Sequence, residues 1–348
     1  MRLATMADVA RLARTSVATV SAIVNGSARV SPELAARVRA AIAEVGYRPD
    51  GIARSLKKGA TQTIGLLVTD ITNPFFTAVV RSVEATAQAR GYSVILCNSD
   101  EDLKEERTYL DLLRTRRVDG LILVPSGGGR DYAGLAGDVK VPVVFVDRSV
   151  PGVAVDTVTV DNSRAVEAAV EYLLRLGHRR IGFITGLPHL STSAERLKGY
   201  RRALRKAGVA VDPDLVRQGD FRQEGALQAT QSLLALRPRP TALFAANNLM
   251  AIGAMLALRA AGLDCPAEVS FACFDDFEWA GAFHPRLTVL RQPTAEIGRR
   301  AMELLLERLT PGKNGTAPPH RLVLRAELVV RDSCAPPRGV RVSAGARS

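Results

Sequence analysis

The sequence of 348 residues has few of the side chains on which metal and redox chemistry depend, with four cysteines and four histidines. The histidines stand singly, and the cysteines show no spacing typical of a metal site. These eight residues are Cys97, Cys265, Cys273, Cys334, His178, His189, His284 and His320. We therefore expect no metal ion and no cofactor.

Long apolar runs are also missing. No stretch of about 18 apolar residues is present that could span a bilayer, and the N-terminus lacks the apolar segment of a secretory signal. Four unpatterned cysteines fit a reducing compartment. We expect a cytoplasmic protein with no membrane partner, which separates it from exported solute-binding proteins.

Catalytic motifs are absent from the sequence as well. It has no G-x-S-x-G, no P-loop and no H-E-x-x-H, and the glycines at 127–129 do not continue into a dinucleotide-binding pattern. We predict no catalytic residues. An α/β small-molecule enzyme with an accessory nucleic-acid-binding head remains the alternative, which turnover of a sugar without DNA preference would identify.

Positive charge is concentrated at the N-terminus. Residues 1–60 hold ten lysine and arginine residues against four acidic ones, a net charge of +6 out of +12 for the whole chain. Such an excess on a small segment indicates a polyanionic partner, because neutralised phosphates release condensed counterions.

The same segment has the pattern of a helix-turn-helix. Thr5 can cap a first helix, the chain breaks at 14–15, and a second helix opens at Ser16 and closes at Gly26. A third helix begins at Ser31, with proline in its first turn and one apolar face. A helical bundle without a ligand would show similar periodicity, but the charge favours DNA.

The remainder alternates short β-branched runs with amphipathic helices, which is typical of doubly wound parallel sheets. The predicted strands are 64–69, 93–98, 120–124, 141–147, 180–185, 242–246 and 269–274. A break near 161–162 and a second crossing near 290–292 indicate two sheets, with the C-terminal segment returning to complete the first subdomain. That return resembles the periplasmic-binding-protein fold, which implies a ligand cleft between two lobes.

Polar and aromatic side chains follow the predicted strands, where an open α/β sheet binds ligands. These residues are Asp70, Asn73, Phe75, Phe76, Asp147, Arg148, Asn247, Asn248, Asp275 and Asp276. Phe221 lies in a separate loop, and Trp279 is expected to wall the cleft.

The head resembles that of LacI-type (LacI/GalR) transcription regulators, and the later domain matches over nearly its whole length. The matching segments are TMADVARLA, SVATVSAIVNGSARVS, GYRPD and IARSLKKG. The resemblance implies an all-α helix-turn-helix head (1–48), a hinge helix (49–60) and a two-lobed α/β effector domain like the periplasmic binding proteins (61–332). We expect subdomains of 61–161 plus 292–332 and of 162–291, and a disordered tail at 333–348.

The resemblance also implies the DNA contacts. The base-reading positions are Val17, Ala18 and Ala22, and the other head contacts are Thr5, Ser16, Thr19, Ser21, Asn25, Arg29 and Ser31. In the hinge, Leu56 would wedge between base steps beside Ala53. Alanine stands at 22 where the family often has arginine. Direct readout should therefore depend on thymine methyl groups, not on a bidentate guanine contact.

The effector contacts implied by the resemblance are Phe75, Asp147, Thr192, Arg196, Phe221, Asn247 and Asp275. Arginine and aspartate can satisfy adjacent hydroxyls while an aromatic face stacks on a ring, so a sugar or sugar derivative is expected. A nucleoside or nucleobase is the second candidate, and Leu190 weakens it by standing where a purine-responsive member would carry arginine. Asn248 is a further departure, because the family commonly has aspartate there.

The sequence therefore predicts a repressor that binds a near-palindromic double-stranded DNA operator as a homodimer and responds to a small molecule. The tail lacks an apolar heptad for a tetramerisation helix. Whether the effector is an inducer or a corepressor stays open.

Overall fold

The structure is a computed structural model that describes residues 4–24, 30–47, 60–132, 139–310 and 318–338. Its contacts divide the chain into two compact units, 1–61 and 62–348.

The described part of the first unit contains three helices: α1 (Met6–Leu12), α2 (Val17–Val24) and α3 (Pro32–Val45). Thr5 and Asp8 form the capping box that opens α1, and Arg14 makes the turn to α2 with a left-handed φ of 49°. The hydroxyl of Ser16 accepts a hydrogen bond from the Thr19 amide at 3.1 Å and caps α2. The helix-turn-helix is confirmed.

The three helices enclose a small apolar core. Val9, Val20 and Val38, one from each helix, are fully buried. The Arg37 Nε donates to the Ala13 carbonyl at 2.8 Å and ties α3 to the turn before α2. Such packing supplies most of the stability of helices this short. The predicted hinge at 49–60 lies outside the described residues except for Ala60.

The second unit contains two six-stranded sheets, and the one nearer the N-terminus defines the first lobe. Its strand order is β11-β5-β4-β3-β1-β2, with all neighbours parallel. The strands are β1 (Thr63–Val68), β2 (Ser93–Asn98), β3 (Gly120–Leu123), β4 (Val143–Val146), β5 (Asp156–Val160) and β11 (Arg321–Leu324). The helices of this lobe are α4 (Pro74–Gln88), α5 (Leu103–Thr115) and α10 (Thr294–Leu309).

The second lobe repeats this arrangement with the order β12-β10-β9-β8-β6-β7. The strands are β6 (Ile181–Thr185), β7 (Val216–Gln218), β8 (Ala242–Ala245), β9 (Ser270–Phe274), β10 (Thr288–Arg291) and β12 (Glu327–Val329). Its helices are α6 (Asn162–Arg175), α7 (Ser191–Lys206), α8 (Gln223–Ala235) and α9 (Asn248–Ala260). Only the β10–β12 pairing is antiparallel among the described strands. The predicted doubly wound, two-lobed α/β fold is confirmed.

The C-terminal segment differs from the sequence prediction in two places. The chain crosses to the second lobe again after β11, because β12 pairs with β10, so 292–332 is not wholly part of the first lobe. Of the predicted tail at 333–348, residues 339–348 lie outside the described residues, whereas 333–335 form hydrogen bonds with β9. Ser333 is fully buried, and its hydroxyl donates to the Phe271 carbonyl at 2.6 Å. The segment 327–335 is too short for its sequence to predict that it packs on the second lobe.

In the described part of the chain, no helix is both long and apolar enough to cross a bilayer.

Candidate functional site

In the first unit, α2 presents a small apolar surface flanked by hydroxyl groups. Val17 is 47% exposed and Ala18 is also exposed, whereas Val20 is buried against the other helices. The hydroxyls of Ser16 and Thr19 lie 2.8 Å apart at the start of the helix. This face has the composition of a recognition helix that touches phosphates at its N-terminus and base edges along its side.

Of the other predicted DNA contacts, some belong to the described residues and some lie outside them. Thr5 and Ser31 act as helix caps, and Ser21 and Ala22 lie half-buried on α2. Asn25, Arg29, Ala53, Leu56 and the helix-closing Gly26 lie outside the described residues. The DNA-contacting roles therefore stay predictions.

In the second unit, a pocket lies between the two lobes and contains about 410 Å³ of space between atoms, part of it open to solvent. All seven residues predicted as effector contacts line it. The remaining lining residues are Asp70, Asn73, Phe76, Glu101, Arg148, Arg222 and Gln292. Trp279 is not among them. It is 45% exposed and packs on Phe277 and Phe283, so the prediction that it walls the cleft is wrong.

Several lining residues have a strained backbone. Asp147 directly follows β4 and Asp275 directly follows β9, with left-handed φ values of 68° and 71°. Glu101 and Phe221 have φ values of 62° and 59°. Left-handed backbone is costly for residues other than glycine and persists where the surroundings impose it, often at binding sites.

Arg196 on α7 forms the base of the pocket, and only 3% of the residue is exposed. Its Nε donates to Asn162 Oδ1 at 2.8 Å and its Nη1 to the Ala246 carbonyl at 2.6 Å. The guanidinium lies 3.8 Å from the centre of the Phe274 ring. Burial lowers the pKa of Arg196, and the carboxylates of Asp275 and Asp147 oppose that shift. The side chain is therefore fixed by protein groups before any ligand arrives.

Burial disfavours the ionised form of the two carboxylates beside Arg196, those of Asp147 and Asp275. Burial raises the pKa of Asp275 to about 6, although Arg196 and a 2.6 Å hydrogen bond from Gln292 Nε2 lower it. Burial also raises the pKa of Asp147. Carboxylates in such surroundings gain free energy when a ligand donates hydrogen bonds to them.

Arg148 lies on the other side of the pocket. Burial alone would lower its pKa, but the Glu101 carboxylate raises it overall. Its Nη1 and Nη2 donate to Glu101 at 2.6 and 2.5 Å. Its Nε lies 3.4 Å from Asp147 Oδ2, so each of its nitrogens faces a carboxylate. Thr192 Oγ1 is one of the buried side-chain atoms that have no hydrogen-bond partner among the described residues. Buried polar atoms are normally paired, so this hydroxyl is available to a ligand.

Aromatic rings complete the walls. Phe75 and Phe76, in the first turn of α4, meet edge to face at 5.0 Å. The Phe221 ring comes from the second lobe and packs against Gly186. These apolar faces suit the hydrophobic side of a ring-shaped ligand.

We predict that Gly186→Ala weakens effector binding at least tenfold. A Cβ at this position would lie 2.2 Å from two atoms of the Phe221 ring, so the ring must move. Gly281→Ala is the matched control, because nothing lies within 4 Å of the Cβ it would add. Calorimetric titration of both variants checks the effect, and equal affinities would contradict this role of Phe221.

Sequence reasoning missed three residues of the pocket: Glu101, Arg222 and Gln292. Gln292 follows β10, whose short length gave no clear strand signal. Glu101 and Arg222 lie in loops after β2 and β7, and only tertiary contacts bring them to the cleft. No group of three or more metal-ligating side chains is found among the described residues.

Each of the two units matches a known protein family. Residues 5–50 match the model of the bacterial regulatory proteins of the lacI family, and residues 170–334 match that of the periplasmic binding protein-like domain. The chain is 38% identical over 331 residues to the ribose operon repressor of Haemophilus influenzae, covering 95% of this chain and 98% of that protein. It is 36% identical over 332 residues to the transcriptional repressor PurR of Photobacterium profundum, covering 95% and 98%.

A solved structure resembles the chain over nearly its full length. The lac repressor dimer bound to operator and the anti-inducer ONPF has a TM-score of 0.85 and 28% identity, with 96% of this chain and 100% of that chain covered. Together with the matched head and the long alignments to repressors, this shows that the chain belongs to the lacI family of bacterial regulatory proteins.

Proposed function

We propose that the protein is a transcription repressor that binds operator DNA through α2 and is controlled by a small molecule bound between the lobes of the second unit. The related lac repressor was solved as a dimer on operator. We infer a homodimer on a near-palindromic site, because a two-fold protein binds two-fold DNA. We infer a cytoplasmic location, because the operator DNA that the protein is proposed to bind lies on the bacterial chromosome.

The proposed DNA contacts are those of the sequence prediction. Val17, Ala18 and Ala22 offer only apolar groups and would read thymine methyl groups at close range. The hydroxyl-bearing neighbours on α2 would fix the helix on the phosphates. In the hinge, Leu56 is proposed as the minor-groove wedge beside Ala53.

We propose an uncharged monosaccharide as effector, with ribose as the first to test. The observation that carries this is the charge of the pocket. Four carboxylates line it against three guanidinium groups, and the buried arginines already contact carboxylates or carbonyls. A phosphorylated sugar would add negative charge to a pocket whose formal charge is already −1 when all its carboxylates are ionised. The relation to a ribose operon repressor points to the same class.

A nucleoside or nucleobase is the second candidate. The relation to the PurR repressor favours it. Leu190 is 2% exposed and is not a lining residue, so it offers no donor to a base.

We further propose that the protein is not an enzyme. Its curated relatives are repressors, and the polar groups of the pocket are held in ion pairs and hydrogen bonds that suit binding. An effector acts by binding two states of the repressor with different affinity, which sets the direction of control.

The test is calorimetric titration of the full chain with neutral pentoses and hexoses, and with ribose 5-phosphate. We expect ribose to bind and to raise the melting temperature, and ribose 5-phosphate to bind at least 100-fold more weakly. Tighter binding of the phosphate ester, or binding of nucleosides but of no neutral sugar, would overturn the proposed effector class.

A further inference from the structure

One arginine connects the two lobes across the cleft. Arg222 immediately precedes α8 in the second lobe, and its guanidinium reaches two carboxylates of the first lobe. Nη1 donates to Asp70 Oδ2 at 2.8 Å, and Nη2 donates to Asp100 Oδ1 at 2.6 Å. Nη2 also lies 3.2 Å from the Asp100 carbonyl oxygen. The contact therefore holds two lobes together and does not stabilise either one alone.

The contact lies toward the open end of the pocket. The side chains of Arg222 and Asp100 are 37% and 69% exposed, whereas that of Asp70 is 9% exposed. An exposed ion pair contributes little on its own, about 0–1 kcal/mol, and salt screens it. Here one guanidinium is shared between two carboxylates, one of them buried, which fixes the geometry better than a single surface pair would.

The loop before Arg222 also carries an effector contact. Asp220 and Phe221 are both left-handed, and the Arg222 amide donates to the Gly219 carbonyl at 2.9 Å. Asn247 Nδ2 donates to the Phe221 carbonyl at 3.2 Å. The same tight turn thus points Phe221 into the pocket and Arg222 toward the first lobe, so the position of one is coupled to that of the other.

A neutral contact lies deeper in the cleft. Asn248 Nδ2 donates to Asn73 Oδ1 at 2.9 Å, and both side chains are buried. Asn248 is one of the positions at which the sequence departs from its family. An aspartate there would lack the donor for this bond. Two further contacts join the lobes: the Ser149 amide donates to Ser191 Oγ at 3.1 Å, and His189 Nε2 lies 3.3 Å from the Ser126 carbonyl oxygen. Among these four contacts, that of Arg222 is the ion pair.

We propose that Arg222 is a positioning residue of the effector site. Its contacts with Asp70 and Asp100 hold the lobes closed before the effector arrives, so that the effector enters a pocket that is already formed. A pocket that is already closed binds its effector more tightly, because ordering the site on binding then costs less free energy. The identity of the effector rests on the proposed function, but the closure itself does not.

The first test needs no effector. Hydrogen exchange of the full chain is compared for the wild type, Arg222→Ala and Arg217→Ala. Arg217 is the matched control, since it is similarly exposed and its ion pair with Asp214 stays within the second lobe. We expect Arg222→Ala to raise exchange at least threefold in first-lobe peptides covering 70–76 and 98–102, and Arg217→Ala to leave it unchanged. Equal exchange in all three proteins would overturn the proposal.

A variant on the opposite lobe gives an independent check. Asp100→Asn removes the exposed carboxylate but leaves the contact of Arg222 with Asp70, so we expect a smaller rise in exchange than in Arg222→Ala. Combining it with Arg222→Ala should add nothing further, because Arg222→Ala already removes both contacts. Additive effects would contradict a shared contact.

The second test measures affinity with ribose as the probe. Arg222→Ala should weaken ribose binding about fivefold to fiftyfold, and Arg217→Ala less than twofold. An unchanged affinity alongside raised exchange would overturn the positioning role. If no neutral sugar binds the wild type, the proposed effector class fails, while the exchange experiment still decides whether Arg222 holds the lobes together.

Discussion

Replacing Asp275 with asparagine is expected to stabilise the effector-free protein at pH 7.5 and to weaken effector binding at least 100-fold. Burial raises the pKa of Asp275 to about 6 from 3.8, so the ionised form is disfavoured in the folded state. Asparagine mimics the neutral form and should add about 1–3 kcal/mol to the free energy of unfolding. The same change removes a charged acceptor for ligand hydroxyls, which accounts for the lost affinity.

The contribution of Asp275 to the free energy of unfolding depends on pH. The folded protein keeps a proton on Asp275 at pH values where the unfolded chain has lost it. The contribution of this group to stability therefore falls as pH rises from about 4 to about 6 and stays low above that. Urea unfolding of the wild type and Asp275→Asn across this range should show the difference growing with pH. A difference that is constant or shrinks would contradict the assignment.

The neighbouring Asp276 provides a control with the opposite sign. It does not line the pocket, and burial would raise its pKa, but hydrogen bonds from Arg331 and Arg291 lower it overall. Those contacts measure 2.8 and 2.9 Å. Its stabilising contribution is present at neutral pH and lost as pH falls. Asp276→Asn should therefore destabilise the protein at pH 7.5 and leave effector affinity within about threefold of the wild type.

Replacing Val17 with glutamate is expected to abolish DNA binding while leaving the head folded. Val17 is the first residue of α2 and is 47% exposed, and an acidic side chain in the first turn is favourable to the helix dipole. On DNA the same carboxylate would face phosphates and replace an apolar base contact. We expect at least a 100-fold loss of operator affinity by fluorescence anisotropy, with no loss of helicity by circular dichroism.

Ala36→Glu is the matched control for Val17→Glu. Ala36 is exposed on α3, so the variant changes the net charge equally without touching α2. We expect its operator affinity to fall less than about fivefold. A similar loss in both variants would show that overall charge, and not the exposed face of α2, determines DNA binding.

The seven predicted strands comprise six from the sheet interiors, where burial imposes an apolar run, and the edge strand β2, whereas the interior strands β5 and β10 were not predicted. β1, β3, β4, β6, β8 and β9 are buried along nearly their whole length, and each was visible as a β-branched or apolar run. The short strands β7, β11 and β12 lie at sheet edges with mixed burial, so neither length nor periodicity distinguished them from loops. The return of β12 to the second lobe escaped prediction for this reason.

The pocket was predictable to the extent that it follows strand ends. Asp147 and Asp275 directly follow buried strands, and this position alone indicates a ligand cleft in a doubly wound fold. Arg222 has no such signal, because its partners lie more than 120 residues away in the other lobe. Long side chains that bridge lobes depend on tertiary geometry that no local pattern encodes.

The most direct test of the account is operator binding by the full chain, measured with and without saturating effector. The operator is selected from a random DNA pool, and effector binding is first established by calorimetry. We predict sequence-selective binding whose affinity changes at least tenfold when ribose is added to the wild type, and no change in Asp275→Asn. DNA affinity that is the same with the pocket empty and filled would contradict the account.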